Sequence, residues 1–543
     1  MRDQSFILIE DSDTAKLCHQ GWHDIYNISH GEEASLIYYD KIGYSSPSEM
    51  EKWLSTRPRY LSERTHDSSA CSVSDTFSLR ANYNDIRSRA QSLAFALIHE
   101  FDEAEPLSLY SLTLNGVCLG KYIASHLLRF SPILIRHFNP SRDIVYACLK
   151  HLCHHIAFVD FLLKEVNISY AYFSETVYFA GAIVEQLVLA RVSLPYLFYP
   201  SQVTLTFDKC KPIACGKSLV YQVLEHKFFR FCMESGSHSY NKMISLGYSE
   251  LQSRLNNPSH INTGASNESL NRIRQYLRNN ANCTQILTSI EELAALGKPN
   301  IILYLHCFAD GPHYEGFSGF SSSYQFFINV VNSIANAKIS NLYNIVIKPH
   351  PNLLLGLSSP FIVDKEKMHY DINLTISLIQ DLTSLLPNIF ILDPSVPNGK
   401  LIRNIDSIHI TSHGSVGLEA RYLGAPLICT NTAPYSYLGL GEFIVKRDNL
   451  SDLSRHVLNI YLNGEYKIYD PSISIKCALF TALISACGCI DYLTIASRFL
   501  NLTRDQLCVK LLQDPKFIES NLDLRSLELL RLAAIKSLRF YTS

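Results

Sequence analysis

The sequence predicts an α/β protein built from two Rossmann-like halves, followed by a helical C-terminal segment. Three observations carry this reading. Between about residues 299 and 465, five apolar runs (IILYLH, NIVIK, NIFILD, SIHIT and PLICT) alternate with helical patterns such as SYQFFINVVNSIANA and LSDLSRHVLNIYL, the signature of successive βαβ units. Each run is continuously apolar, as expected of parallel strands covered on both faces. The stretch ISYAYFSETVYFAGAIVEQLVLARVSLPYLFYP then repeats the plan of SIHITSHGSVGLEARYLGAPLICT: a strand, a small polar turn, a helix carrying a glutamate, and a proline opening the next strand.

Taken in order, residues 1–240 read as an N-terminal α/β domain, with helices expected at NDIRSRAQSLAFALIHEF and IVYACLKHLCHHIAFVDFLLKE; the first sixty residues carry the weakest pattern. Residues 241–298 are polar, rich in Asn, Ser and Arg, and read as a helical linker. Residues 299–465 form the regular βαβ domain. Residues 466–543 are helical in pattern without a strand signal.

Composition narrows the function classes. A chain of 543 residues with 47% hydrophobic residues is long enough for two or three domains, each with its own core. Its formal net charge of -2, with both signs mixed, offers no basic face for a nucleic acid backbone. The run FILI near the N-terminus is too short for a signal or an anchor, so a cytoplasmic protein is expected. The 15 cysteines are an odd number scattered through apolar runs and read as buried thiols, and Cys487 and Cys489 lack a second pair at zinc spacing. No metal and no cofactor are expected.

Three segments of the 299–465 domain carry candidate chemistry. In an open parallel sheet, ligands bind outside the carboxyl ends of the strands, where helix N-termini and loops converge. TSHGSVGLE follows one strand: Ser412 and Ser415 offer hydroxyls to a phosphate, Gly414 and Gly417 allow close backbone approach, and Glu419 offers an acceptor to ribose hydroxyls. The plainer alternative makes a serine the N-cap and Glu419 a solvated helix residue. NIVIKPHPN places Lys348 and His350 after a second strand, where a cation and an imidazole can meet a diphosphate. YLHCFADGPHYEGFSGF places His306, Asp310 and His313 after a third. In the N-terminal half, Glu175 ends the ISYAYF strand and reads as a helix N-terminal carboxylate favoured by the dipole. His151, His154 and His155 have the i, i+3, i+4 spacing of one helix face, and a metal role lacks a companion carboxylate. Asp160 and Glu185 read as helix residues.

The segments HCFADGPHYEGF, IVIKPHPN and TSHGSVGLEARYLGAPLI together resemble the bacterial capsule polysaccharide biosynthesis proteins, related to Kdo-transferring and glycerophosphate-transferring enzymes of surface polymers. The likeness covers mainly 299–465 and reaches the N-terminal half only in layout. It implies the GT-B arrangement of two Rossmann-like domains facing a cleft. It further implies a metal-independent transferase whose C-terminal half holds a nucleotide-activated sugar, with Lys348, His350, Ser412, His413, Gly414, Ser415 and Glu419 on the nucleotide side. The N-terminal half would then bind a glycan or glycolipid acceptor, with His151, His154 and His155 on a helix face in or near the acceptor cleft and Glu175 as the first candidate for base or nucleophile; Asp310, the second, and His306 are the catalytic candidates of the C-terminal half. A CMP-linked, Kdo-like donor is the expectation, with association at the inner membrane or in an assembly complex. CDP-glycerol-type transfer and a non-catalytic partner in polymer assembly stand as alternatives.

Overall fold

The structure is a computed structural model of the chain. It describes residues 5–11, 35–40, 79–114, 117–165, 167–172, 196–199, 203–206, 238–256, 275, 286–306, 308, 319–350, 365–386, 388–431, 433, 435–485, 498–502, 506–507, 510, 520–527 and 529–530. The chain divides into two compact units: one of Met1–His126, Pro140–Val223 and Ile484–Ser543, the other of Leu127–Asn139 and Leu224–Leu483.

In the first unit, β1 (Ser5–Asp11) lies between β2 (Ser35–Asp40) and β5 (Asn167–Tyr172), all parallel. Two of these strands come from the first sixty residues, where FILIE and LIYY are short apolar runs without a readable partner. β3 (Thr113–Leu114) and β4 (Val117–Cys118) form a separate antiparallel pair. β6 (Tyr196–Tyr199), the strand opened by a proline, also leaves the parallel plan and pairs antiparallel with β7 (Val203–Thr206). The helices Leu79–Ile98 and Arg142–Glu165 pack on one another and bury Ala90, Ala94, Leu97, Leu149, Leu152 and Ile156.

The second unit holds a seven-stranded, wholly parallel sheet. Its strands are β8 (Ile286–Leu287), β9 (Asn300–Tyr304), β10 (Asn344–Lys348), β11 (Ile389–Leu392), β12 (Ser407–Thr411), β13 (Leu427–Thr430) and β14 (Phe443–Val445). Across the sheet the order is β14-β13-β12-β9-β10-β11-β8. Every residue of β9, β10, β12 and β13 is buried, which explains the unbroken apolar runs. The edge strand β8 comes from the segment that reads as a linker. The short β14 and the Asn398–Asn404 helix have no periodic signature long enough to announce them.

Two helical layers cover this sheet. On one face, Ile290–Ala294, Asn398–Asn404 and Val416–Tyr422 close a core around Ile302, Tyr304, Val346 and Leu392. The His238–Asn256 helix lies against them, with Gln252 Nε2 donating to Tyr422 Oη at 2.8 Å and Arg403 donating to Asn256 Oδ1 at 2.9 Å. The other layer comprises Ser323–Asn336, Lys365–Leu385 and Leu450–Asn463. Against it packs the short helix Pro132–Arg136: Ser322 Oγ donates to Ile135 O at 2.6 Å, and Arg136 pairs with Asp381 at 3.0 Å. Among the described residues, no helix is long and apolar enough to cross a membrane.

The chain runs β9, β10, β11 outward in one direction and returns to place β12, β13 and β14 on the other side of β9. The connections after β9 and β12 therefore depart to opposite faces. Between the carboxyl ends of these two strands lies the switch point at which open α/β sheets leave a crevice.

Candidate functional site

Three histidines meet at that switch point. His306 follows β9 by two residues, His350 follows β10 by two, and His413 follows β12 by two. In-register pairing puts Tyr304 level with both Lys348 and Thr411, so the three histidines fall at equal distance beyond the sheet and on the same side. The His306 and His413 rings stack with centroids 3.9 Å apart and 16° between planes; His350 stacks more loosely on His306 at 6.0 Å. One histidine from each of three segments far apart in the sequence is thus brought to the same place.

The imidazoles are anchored by the end of β12. His306 Nε2 lies 3.1 Å from Thr411 Oγ1, and the same hydroxyl accepts a hydrogen bond from Gly414 N at 3.0 Å. Ser412 Oγ is 2.9 Å from His413 Nδ1. Ser412 is fully buried, and its carbonyl accepts from Thr430 N at 3.2 Å and Thr430 Oγ1 at 2.6 Å. This serine therefore acts on its neighbouring imidazole from inside the fold.

The two glycines of the turn serve the protein's own side chains. A Cβ on Gly414 would sit 2.9 Å from His306 Cε1 and 2.9 Å from Thr411 Oγ1. One on Gly417 would meet Tyr435 Oη at 2.1 Å, and that hydroxyl donates to Gly414 O at 2.7 Å. The close approach expected of a ligand is here made by His306 and Tyr435. Ser415 is exposed and precedes the Val416–Tyr422 helix with no side-chain capping bond, so the N-cap alternative does not describe it.

Lys348 and Glu419 lie deeper than the sequence suggests. Lys348 is 3% exposed, and its ammonium donates to Pro394 O at 3.1 Å. Burial pulls its pKa down to about 8, against the opposing pull of Glu419 and Asp393. Glu419 is half-buried; burial raises its pKa, while the Arg254 charge, the nearby Asn398 amide and the Lys348 charge pull the other way. Beside them, Tyr304 Oη meets His409 Nδ1 at 2.9 Å and His409 Nε2 meets Ser407 Oγ at 3.0 Å. Burial, with a smaller contribution from Lys467, lowers the His409 pKa to about 3 and keeps that ring neutral. A layer of polar groups thus underlies the histidines.

Sequence reasoning passed over Thr411, Tyr435 and Asn398. Thr411 was within reach, since strand alternation places it on the same side as His409 and His413. Tyr435 precedes a short 3-10 turn and Asn398 opens a seven-residue helix, segments too short for a periodic signature, so only tertiary contact reveals a role. Glu175, Asp310, His313, Glu185, Cys487 and Cys489 lie outside the described residues. In the first unit, His151, His154 and His155 are 0%, 2% and 2% exposed in the core of their helix pair, so they do not form an open helix face. Asp160 is a helix residue, paired with Arg89 at 3.0 Å. Among the described residues, no group of three or more His, Cys, Asp or Glu side chains has an arrangement that could hold a metal ion.

No family model matches the chain, and no curated protein matches it. Among solved structures, the N-terminal domain of a Candida albicans trehalose-6-phosphate phosphatase is similar at 9% identity, over 95% of this chain and 97% of that one, with a TM-score of 0.24. A likeness at that score carries no argument about fold or activity.

Proposed function

We propose that the protein is a GT-B glycosyltransferase of bacterial surface polysaccharide synthesis, moving a sugar from a nucleotide donor, CMP-linked and Kdo-like, to a glycan or glycolipid acceptor. The observation that carries this reading is the convergence of His306, His350 and His413 at the carboxyl ends of β9, β10 and β12. Imidazoles beside a crevice at the switch point of a parallel sheet suit a phosphorylated ligand: they donate hydrogen bonds to phosphate oxygens and offset the charge that grows when a glycosidic bond to phosphate breaks. The polar layer of Lys348 and Glu419 beneath them gives the floor of the crevice a fixed electrostatic character.

In this reading His350, His413 and the exposed Ser415 face the donor's phosphate, and His306 stands nearest the reacting bond. The GT-B arrangement assigns the acceptor to the N-terminal unit, with Glu175 the first and Asp310 the second candidate for the carboxylate that activates it. Residence at the cytoplasmic side of the inner membrane, where such acceptors are built, belongs to the same proposal.

The test is release of nucleotide from CMP-, CDP- and UDP-linked donors in the presence of a polysaccharide acceptor. CMP release from CMP-Kdo is expected. Release of CMP from CDP-glycerol alone would make the enzyme a glycerophosphotransferase. No release from any donor, with no change in thermal stability on adding nucleotide, would favour a non-catalytic role in polymer assembly.

A further inference from the structure

We propose that Thr411 is a positioning residue: its hydroxyl sets the orientation of the His306 imidazole and ties together the two strands that flank the switch point. The inference rests on the phosphate-site reading for its functional consequence, though not for its geometry. β9 and β12 are neighbours in register up to Tyr304 and Thr411, and beyond that pair their chains leave for opposite faces of the sheet. Past that pair, the contact between Thr411 Oγ1 and His306 Nε2, at 3.1 Å, links the two strands through side chains.

The hydroxyl is well suited to this. Thr411 is fully buried, and its oxygen already accepts the Gly414 amide at 3.0 Å, which fixes where the oxygen lies. A threonine hydroxyl has one proton and two acceptor sites, so with one acceptor site used it can still donate to His306 Nε2 or accept from it. It can therefore hold the ring through a change of protonation. From above, Gly414 presses on the same ring: the position of a Cβ there lies 2.9 Å from His306 Cε1 and 3.0 Å from His306 Nε2. Stacking on His413, itself held by Ser412 Oγ at 2.9 Å, restrains one face, and His350 stacks more loosely at 6.0 Å. The ring is thus located by a hydroxyl at its edge, a glycine against its Cε1–Nε2 side and an imidazole on its face. Thr411 is the member of this set that specifies a nitrogen.

The experiment reads the ring directly. The imidazole nitrogens of His306, assigned by loss of signal in His306→Gln, are followed by long-range proton–nitrogen NMR in the 15N-labelled full chain. Thr411→Val keeps shape and removes the hydroxyl; it should shift the His306 nitrogens and change their pH titration while leaving His456, which stacks on Phe443 at the β14 edge of the same sheet, unchanged. Thr411→Ser should restore the original spectrum. Cytidine nucleotide affinity, measured by calorimetry, should fall about tenfold in Thr411→Val and recover in Thr411→Ser, the scale of one lost hydrogen bond.

His306 resonances identical in Thr411→Val and the parent chain would overturn the proposal. Shifted resonances together with a parent chain that binds no nucleotide would support the positioning and sink the phosphate-site reading instead. Should Thr411→Val fail to fold, Thr411→Ala carries the same NMR test, and unchanged His306 signals there overturn the proposal equally.

Discussion

Single residues decide how the turn after β12 is built. Gly417 has no room for a side chain, because Tyr435 Oη lies where its Cβ would be and donates onward to Gly414 O. Gly417→Ala should therefore destabilise the protein by roughly 2 kcal/mol or more, from overpacking plus a lost buried hydrogen bond; a denaturation midpoint equal to the parent's would refute the contact. At the same scale, His154 and His155 are held neutral by burial, with pKa values lowered to about 4 and about 3, and His151 lies well below its ordinary value for the same reason. For each, the unfolded chain binds a proton that the folded chain does not between pH 6.5 and the lowered value. Stability from these groups is therefore complete above pH 6.5 and is lost as pH falls through that window, on the order of 1.4 kcal/mol for each pH unit and each histidine. Urea denaturation at pH 7 and pH 5 should show the loss, and His155→Leu should flatten it. A parent chain whose midpoint does not move between these pH values would contradict the neutral, buried state.

Among elements, the carboxyl ends of β9, β10 and β12 act together with the helices that follow them. Lys348 ends β10, Glu419 sits in the Val416–Tyr422 helix, and each lies in the other's field. Removing one partner leaves a charge in a poorly solvated place. Lys348→Met should cost about 3 kcal/mol, whereas Lys348→Met with Glu419→Gln should cost clearly less than the sum of the two single changes. A double-mutant cycle with additive costs would show that the two charges are not coupled. These elements were legible in the sequence to different degrees. β9 to β13 announce themselves as unbroken apolar runs because both faces are covered, and their helices by period. β8 and β14 are two and three residues long and pair only at the edges, so no local pattern marks them. β6 follows a proline in a run that reads like the others, yet it pairs antiparallel with β7, a choice of partner that composition does not encode.

For the whole molecule, ligand binding is the property that links fold to proposed function. If the switch-point crevice takes a nucleotide, a cytidine nucleotide at a hundred times its dissociation constant should raise folding stability by about 2.7 kcal/mol, read as a shift in thermal midpoint. His350→Ala and Ser415→Trp should each reduce that shift without lowering the midpoint of the free protein. Full shifts in both variants would place the ligand elsewhere. If the protein transfers sugar as proposed, Glu175→Gln should reduce transfer at least about a hundredfold while the nucleotide-induced shift persists; a normal rate in it together with loss in Asp310→Asn would assign the carboxylate role to Asp310.

The sequence by itself determined the α/β class, the five central strands of the parallel sheet and the three segments that hold histidines, because continuous burial and helical period are local properties written in consecutive residues. Only the tertiary structure decided the order of those strands and so the place of the switch point. It also decided that Lys348 turns to Pro394 and lies in the field of a half-buried Glu419, that the glycines of the turn accommodate His306 and Tyr435, and that the histidines of the Arg142–Glu165 helix face a core. The reason is physical: a side chain's partner is set by which distant segments the sheet brings to the same end, and neighbouring residues in the sequence carry no record of that pairing.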